Sequence, residues 1–461
     1  MLDITTRTAG SRRDFLRIGS LALGGLSLPQ LFARAEAGKL TTDKAVVMVF
    51  LQGGPSQLET FDPKMTAPQE IRAIFGEVQT KLPGVTFGSH FPKLAALADK
   101  LAVVRSFASG NADHQNYLST AGGNPLKVPM GSLYARIAGP NAPGSGMPTN
   151  VLVAPEAVGG KDFKIGKNFE TDALNKLIAA GGELGAGYAY FEPAGSGPLR
   201  QNLEMRQGRD QLDDRRGLLG QLDTFKRRMD ATRAFDDLTA HEQRAYDVIV
   251  NGIARAFDLG REKPETVAKY DTAHLFGNDE VQKWGDMRRS SNLLGKQLLL
   301  ARRLVEAGCG FVTVMDAGWD MHSNSNSPAG LGGMKWLGPQ LDHAVAAFVE
   351  DLHERGLQDK VLLVVTGEMG RTPKIGKNGG RDHWANLTPL LLAGGGLKMG
   401  QVIGQSDRQA GAPATEKYTP AHLLATVMNT VFDVGVVRVA RDVPTNVVTA
   451  ATTGKPIAEL F

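Results

Sequence analysis

Six short apolar runs set the strongest limit on what this chain can fold into. They are Ala45–Leu51, Leu101–Val104, Val151–Ala154, Phe311–Met315, Val361–Thr366 and Thr388–Ala393, each followed by glycine, proline or polar residues. An unbroken apolar run of this length reads as a strand buried on both faces, the habit of parallel sheets. Helical periods lie between several of the runs. In Leu341–Leu357, for instance, Leu341, Ala344, Phe348 and Leu352 share a face. The alternation predicts an α/β fold with a mostly parallel central sheet sandwiched by helices.

From about Gln201 to Glu306 the pattern changes to charge-rich, nearly proline-free sequence of helical period, with Leu218, Leu222, Phe225 and Met229 on one stripe and Ala245, Ile249, Ile253 and Phe257 on another. No Pro/Ser linker brackets this stretch, so it reads as a helical insertion on the sheet over 201–306. The chain of 461 residues is long enough for two or three domains. The patterning favours one domain, 36–461, with a peripheral tail from Pro444 onward.

Residues 1–35 read as an export signal. Ser11-Arg12-Arg13-Asp14-Phe15-Leu16-Arg17 fits the twin-arginine pattern, Ile18–Phe32 is weakly apolar, and Ala33-Arg34-Ala35 resembles a cleavage site. The expected partner there is the twin-arginine translocase, and the expected location is periplasmic or secreted. These residues carry five arginines and two aspartates, a net of +3 within the chain's +4, which leaves +1 for the remainder. The basic balance therefore belongs to the signal, and no aromatic-interleaved Lys/Arg cluster supports nucleic-acid binding. No later segment is long and apolar enough for a transmembrane helix. A single cysteine, Cys309, excludes an intrachain disulfide and Cys-rich metal sites. The twin-arginine route carries folded proteins, often with a metal or cofactor already loaded.

In open parallel sheets ligands bind beyond the carboxyl ends of strands. Asp316-Ala-Gly-Trp319-Asp320-Met-His322 follows one run, Gly367-Glu368-Met-Gly-Arg371-Thr372 another, and Arg105-Ser106 through Asp113-His114 a third. Gly380-Arg381-Asp382-His383-Trp384 lies nearby. Carboxylates and imidazoles in this concentration suit a divalent metal. Such an ion could polarise a phosphoryl or sulfuryl oxygen, and Arg371 offers a planar fork for a tetrahedral anion. Asp320 could instead cap a turn, Arg381-Asp382 could be a simple ion pair, and His343 and His353 read as packing or surface residues. The chain has no G-x-S-x-G elbow, H-E-x-x-H pair or Walker A motif, and Gly394–Gly396 lacks the dinucleotide spacing.

Gly53-Gly54-Pro55-Ser56, Thr60-Phe61-Asp62-Pro63-Lys64, Gly318-Trp319-Asp320-x-His322, Gly367-Glu368-x-Gly370-Arg371-Thr372-Pro373, Gly380–Trp384 and Ala393–Gly396 together resemble the bacterial secreted family of domain of unknown function 1501. That family is similar to the alkaline phosphatase and sulfatase superfamily, whose members use one or two metal ions to cleave phosphate or sulfate esters. The resemblance implies Asp320, His322, Glu368 and His383 as ligands of Zn, Mn, Mg or Ca, in one or two ions. Arg371 would hold the anionic group, and His114 would serve as acid/base or further ligand. The implied substrate is a small anionic ester or a sulfated or phosphorylated polymer. Three positions depart from the pattern: Gln52 ends the first strand where an aspartate is usual, Gln57 stands for a histidine and Glu59 for an aspartate. No nucleophile is marked in Ser106–His114. A one-metal site, or a non-catalytic binding or assembly protein that keeps the fold, stays open.

Overall fold

The computed structural model describes residues 40–114, 122–143, 145–160, 163, 182–193 and 254–461. The expected export segment 1–35 and the helical stripes from Leu218 to Ile253 lie outside them. Among the described residues, seven strands make one sheet: β1 (Ala45–Gln52), β2 (Leu101–Val104), β3 (Asn150–Val153), β4 (Phe311–Ala317), β5 (Val361–Thr366), β6 (Leu390–Gly394) and β7 (Gln401–Ile403). Their order is β7-β2-β6-β5-β1-β4-β3. The pairs β5–β1, β1–β4, β4–β3 and β7–β2 are parallel, while β6 runs antiparallel to both its neighbours. The sheet is therefore mostly parallel, as the apolar runs predict.

The period of two along each strand sorts side chains between two layers. Val47, Val49 and Leu51 join Leu363 and Val365 on the face covered by α2 (Leu294–Glu306) and α3 (Met334–Glu354). Val46 and Met48 join Leu362 and Val364 on the other face, under α1 (Met130–Ala138), α4 (Pro420–Val431) and α5 (Thr445–Thr452). Each such side chain contributes about 1.5–3 kcal/mol when fully buried, and both layers are continuous, so strand register is firmly specified.

Two expectations need correction. The C-terminal stretch is not peripheral: Val447, Ile457 and Leu460 are fully buried in the second layer. Nor is 254–306 wholly an insertion. Its α2 is the helix that crosses into β4, and Gln297 on it donates to the carbonyls of Val153 and Met315. No helix among the described residues is long and apolar enough to cross a membrane.

Candidate metal centre

The carboxyl ends of β1, β4 and β5 form one edge, and β6 enters at that same edge because it is reversed. The Gly394–Gly396 turn consequently lies at the opposite edge, against Gln358 and Val361. At the site edge the chain leaves β1 through Gly53, with φ of +117°. A Cβ there would lie 2.3 Å from Asp320 N, so only glycine lets this loop abut the turn carrying Asp320. Trp319 N donates to Gln52 O at 3.1 Å and Gly53 N to Glu368 Oε1 at 2.7 Å, which knits the exits of β1, β4 and β5 together.

Asp320 is the hub. Its Oδ1 lies 2.6 Å from Arg371 Nη2, 3.1 Å from His383 Nε2 and 3.5 Å from His114 Nε2. Its Oδ2 lies 3.0 Å from His322 Nε2 and accepts from Asn326 Nδ2 at 3.2 Å. One ligating atom from each of His114, Asp320 and His383 falls within 4.8 Å of the others. His114 and His383 meet edge to face, with ring centroids 4.4 Å apart.

The far sides of the two rings fix their tautomers. His383 Nδ1 donates to Ala112 O at 3.0 Å, and His114 Nδ1 donates to Glu368 Oε1 at 3.0 Å. In either neutral ring the lone pair then sits on Nε2, which faces Asp320. With both rings neutral, two imidazole lone pairs and a carboxylate oxygen converge on one point. A cation answers that arrangement, and the residues present fit one. The carboxylate behind His114 is the usual outer support of a metal-bound imidazole. Glu368 Oε2 is also buried without a hydrogen-bond partner among the described residues.

Charge at the site follows from this crowding. Burial opposes charge on His114, but Asp320 and Glu368 outweigh it and raise the imidazole to about 9. His322 is raised as well, chiefly by its hydrogen bond to Asp320. Burial also opposes charge on Asp320, yet Arg371 and the three imidazoles hold its carboxyl well below the usual carboxylate range. His322 and His383 keep 35% and 30% side-chain exposure, so the centre opens to solvent on their side.

The expected residues surround Asp320, but the group that could hold an ion is His114, Asp320 and His383. Glu368 lies behind His114 and His322 sits on the outer carboxylate oxygen. Arg371 is not presented to a ligand. Nε donates to Gly54 O at 2.7 Å, Nη1 to Arg381 O at 3.2 Å, and Nη2 to Gly53 O and Asp320. Its backbone is held by Gln57, through Gln57 Nε2 to Arg371 O at 2.7 Å and Arg371 N to Gln57 Oε1 at 2.9 Å. Gln57 is thus a clamp, not a ligand. Arg381 pairs with Glu59 at 3.0 Å and not with Asp382, which ties the His383 turn to the segment after β1. Trp319 is core, its indole donating to Asp316 Oδ2 at 2.8 Å. Burial pushes the Cys309 thiol up to about 12, leaving it inert.

Asp286 and Arg289 are the residues that sequence reasoning missed. Asp286 Oδ2 accepts from Asp320 N at 3.0 Å, and Arg289 bridges Asp286 at 2.5 Å and Gln52 Oε1 at 2.9 Å. Their segment reaches the site because Gly318, with φ of +100°, leaves room for the Ser290 hydroxyl, which donates to Ala317 O at 2.9 Å.

Among solved structures the chain is similar to a phosphonate monoester hydrolase, SpPMH, from Silicibacter pomeroyi, at 11% identity and a TM-score of 0.37, covering 90% of this chain and 76% of that one. It is also similar to the lipoteichoic acid synthase LtaP from Listeria monocytogenes (10%, 0.33, covering 86% and 72%). The PsFucS1 sulfatase from Pseudoalteromonas sp. gives 12%, 0.34, and coverage of 82% and 67%. At these scores the likeness assigns neither activity nor substrate. A sequence search of curated proteins finds no match. Residues 43–433 match the family described as protein of unknown function (DUF1501), and the chain belongs to that family.

Proposed function

We propose that this chain is an exported, divalent-metal-dependent hydrolase of phosphate or sulfate esters, of the alkaline phosphatase and sulfatase type. The observation that carries the reading is the pair of Nε2 atoms of His114 and His383 facing Asp320, each with its other nitrogen tied to an acceptor. These three residues would hold the ion. Two imidazole nitrogens beside one carboxylate oxygen favour Zn over Mg, Ca or Mn. When bound, the ion supplies Lewis-acid polarisation of an ester oxygen. Glu368 keeps the His114 ring turned, and Arg371 keeps Asp320 ionised. His322, partly exposed at the mouth and raised in pKa by Asp320, is placed to meet an anionic group and to give a proton to a leaving oxygen. A small ester or a sulfated or phosphorylated polymer would suit the opening.

A second reading, an exported binding or assembly protein without turnover, is favoured by the serines after β2 among the described residues. Ser106 is fully buried and the Ser109 hydroxyl donates to Asn111 O at 2.8 Å, so neither of these two is poised as a nucleophile. The test is metal analysis of protein purified without chelator, then assay on aryl phosphate and sulfate esters with Zn, Mn, Mg and Ca. Asp320→Ala and His383→Ala are expected to lose metal and turnover. Stoichiometric metal in both variants would sink the site. Metal-loaded, folded protein with no turnover on any ester would favour the second reading.

A further inference from the structure

The end of β1 and the Asp286–Arg289 turn bear on how many ions the centre holds. Gln52, not a carboxylate, closes β1, and its Oε1 accepts from Arg289 Nη1 at 2.9 Å. The other arm of the guanidinium binds Asp286 Oδ1 at 2.5 Å, and Asp286 Oδ2 holds the Asp320 backbone at 3.0 Å. Arg289 and Asp286 are both buried. A permanent cation, which cannot deprotonate in a protein, therefore joins the end of the first strand to Asp286, and through Asp286 to the Asp320 backbone.

The charges around the hub point the same way. Asp286, Asp320 and Glu368 bring three carboxylates, and Arg289 and Arg371 bring two guanidiniums in direct contact with them or with Asp320. With the imidazoles neutral as ligands, the cluster stands at −1. One divalent ion takes it to +1. A second would take it to +3 in a setting open to solvent only on the His322 and His383 side, where uncompensated charge is disfavoured.

Resting on the metal-dependent reading above, we propose that the centre is mononuclear, and that Arg289, held by Gln52 and Asp286, is a fixed cation that balances the carboxylates in lieu of a second ion. The ion sits at His114, Asp320 and His383. Asp286 and Arg289 are positioning residues: they act through the Asp320 backbone, which Asp286 holds and Arg289 braces.

Equilibrium dialysis of chelator-treated full-length protein against excess Zn²⁺ or Mn²⁺ at pH 8.5, with metal and protein both quantified, tests this. Wild type is expected to bind one ion per chain. Gln52→Glu, nearly isosteric, should pair with Arg289 and still bind one. Arg289→Gln combined with Gln52→Glu, its fold checked by circular dichroism, takes the cluster from −1 to −3, so that two ions bring it to the same +1, and should approach two. Two ions in wild type or in Gln52→Glu overturns the inference, as does one ion in the folded double variant. If the double variant fails to fold, the other two ratios decide. No ion in wild type sinks the metal-dependent reading itself, a different outcome from two.

Discussion

In the proposed centre, His114 is where protons and metal would compete. Its ordinary pKa is near 6.5, and in the folded chain burial lowers it while Asp320 and Glu368 raise it further, to about 9. A group raised on folding stabilises the fold fully below its unfolded pKa and loses that contribution as pH climbs through the folded value. Metal-free protein should therefore melt at progressively lower temperature from pH 6.5 to beyond 9, with His322 acting in the same direction. Metal affinity should do the reverse and tighten over that window, because the ion displaces a proton from Nε2. Melting curves and metal titrations across the range check both, and His114→Gln should flatten both profiles. That His114, Asp320, His322, Glu368 and His383 belong together was legible, because carboxylates and imidazoles gather where apolar strands end. Their division of labour was not, since it depends on which oxygen faces which ring nitrogen. Asp286 and Arg289 were illegible: they follow no strand, and only the fit of Ser290 against Gly318 brings them to Asp320.

The turn between Gly370–Arg371 and His383–Trp384 shows how an element places a ligand. Its two short strands pair Arg371 with His383, and Arg381 inside it reaches Glu59 while Arg371 binds the β1 exit. Burial pushes the Glu59 carboxyl up and the Arg381 guanidinium down, each against the attraction of its partner. Breaking such a pair by removing one member costs about 3–5 kcal/mol, whereas replacing both with apolar groups is often neutral. Glu59→Gln is thus expected to destabilise the protein by that order in urea unfolding and to weaken metal binding, because His383 rides on the tethered turn. Glu59→Met with Arg381→Met should recover much of the stability without restoring tight metal binding. Recovery of both would mean that the pair does not position His383. At this scale the strands were legible from their apolar runs, and β2 and β5 fall on the expected residues. The reversal of β6 was not, because a buried run carries no direction. The tail was misread because Val447, Ile457 and Leu460 are spaced too irregularly to show a stripe, although all three are buried.

Across the whole molecule, the proposed ligands His114, Asp320 and His383 follow β2, β4 and β5 and span some 270 positions of sequence. No local fragment can form the centre, so binding the ion selects the complete sheet. A ligand that binds only the folded state stabilises it by about 2.7 kcal/mol at a hundredfold excess over Kd. Zn²⁺ or Mn²⁺ should then raise the melting temperature by several degrees, and Asp320→Asn should abolish the shift; an equal shift in that variant would place the ion elsewhere. The same topology makes a statement about export. If Arg12 and Arg13 address the chain to a route for folded proteins, the sheet is complete before the membrane is crossed, and so is the site. Replacing both arginines by lysine should hold the protein in the cytoplasm already loaded with metal, as cell fractionation with metal analysis would show. Cytoplasmic protein that is folded but metal-free would separate loading from folding and move it after export. Protein that still reaches the periplasm with both lysines would remove the twin-arginine assignment, and with it the reason for expecting the ion to be acquired inside the cell.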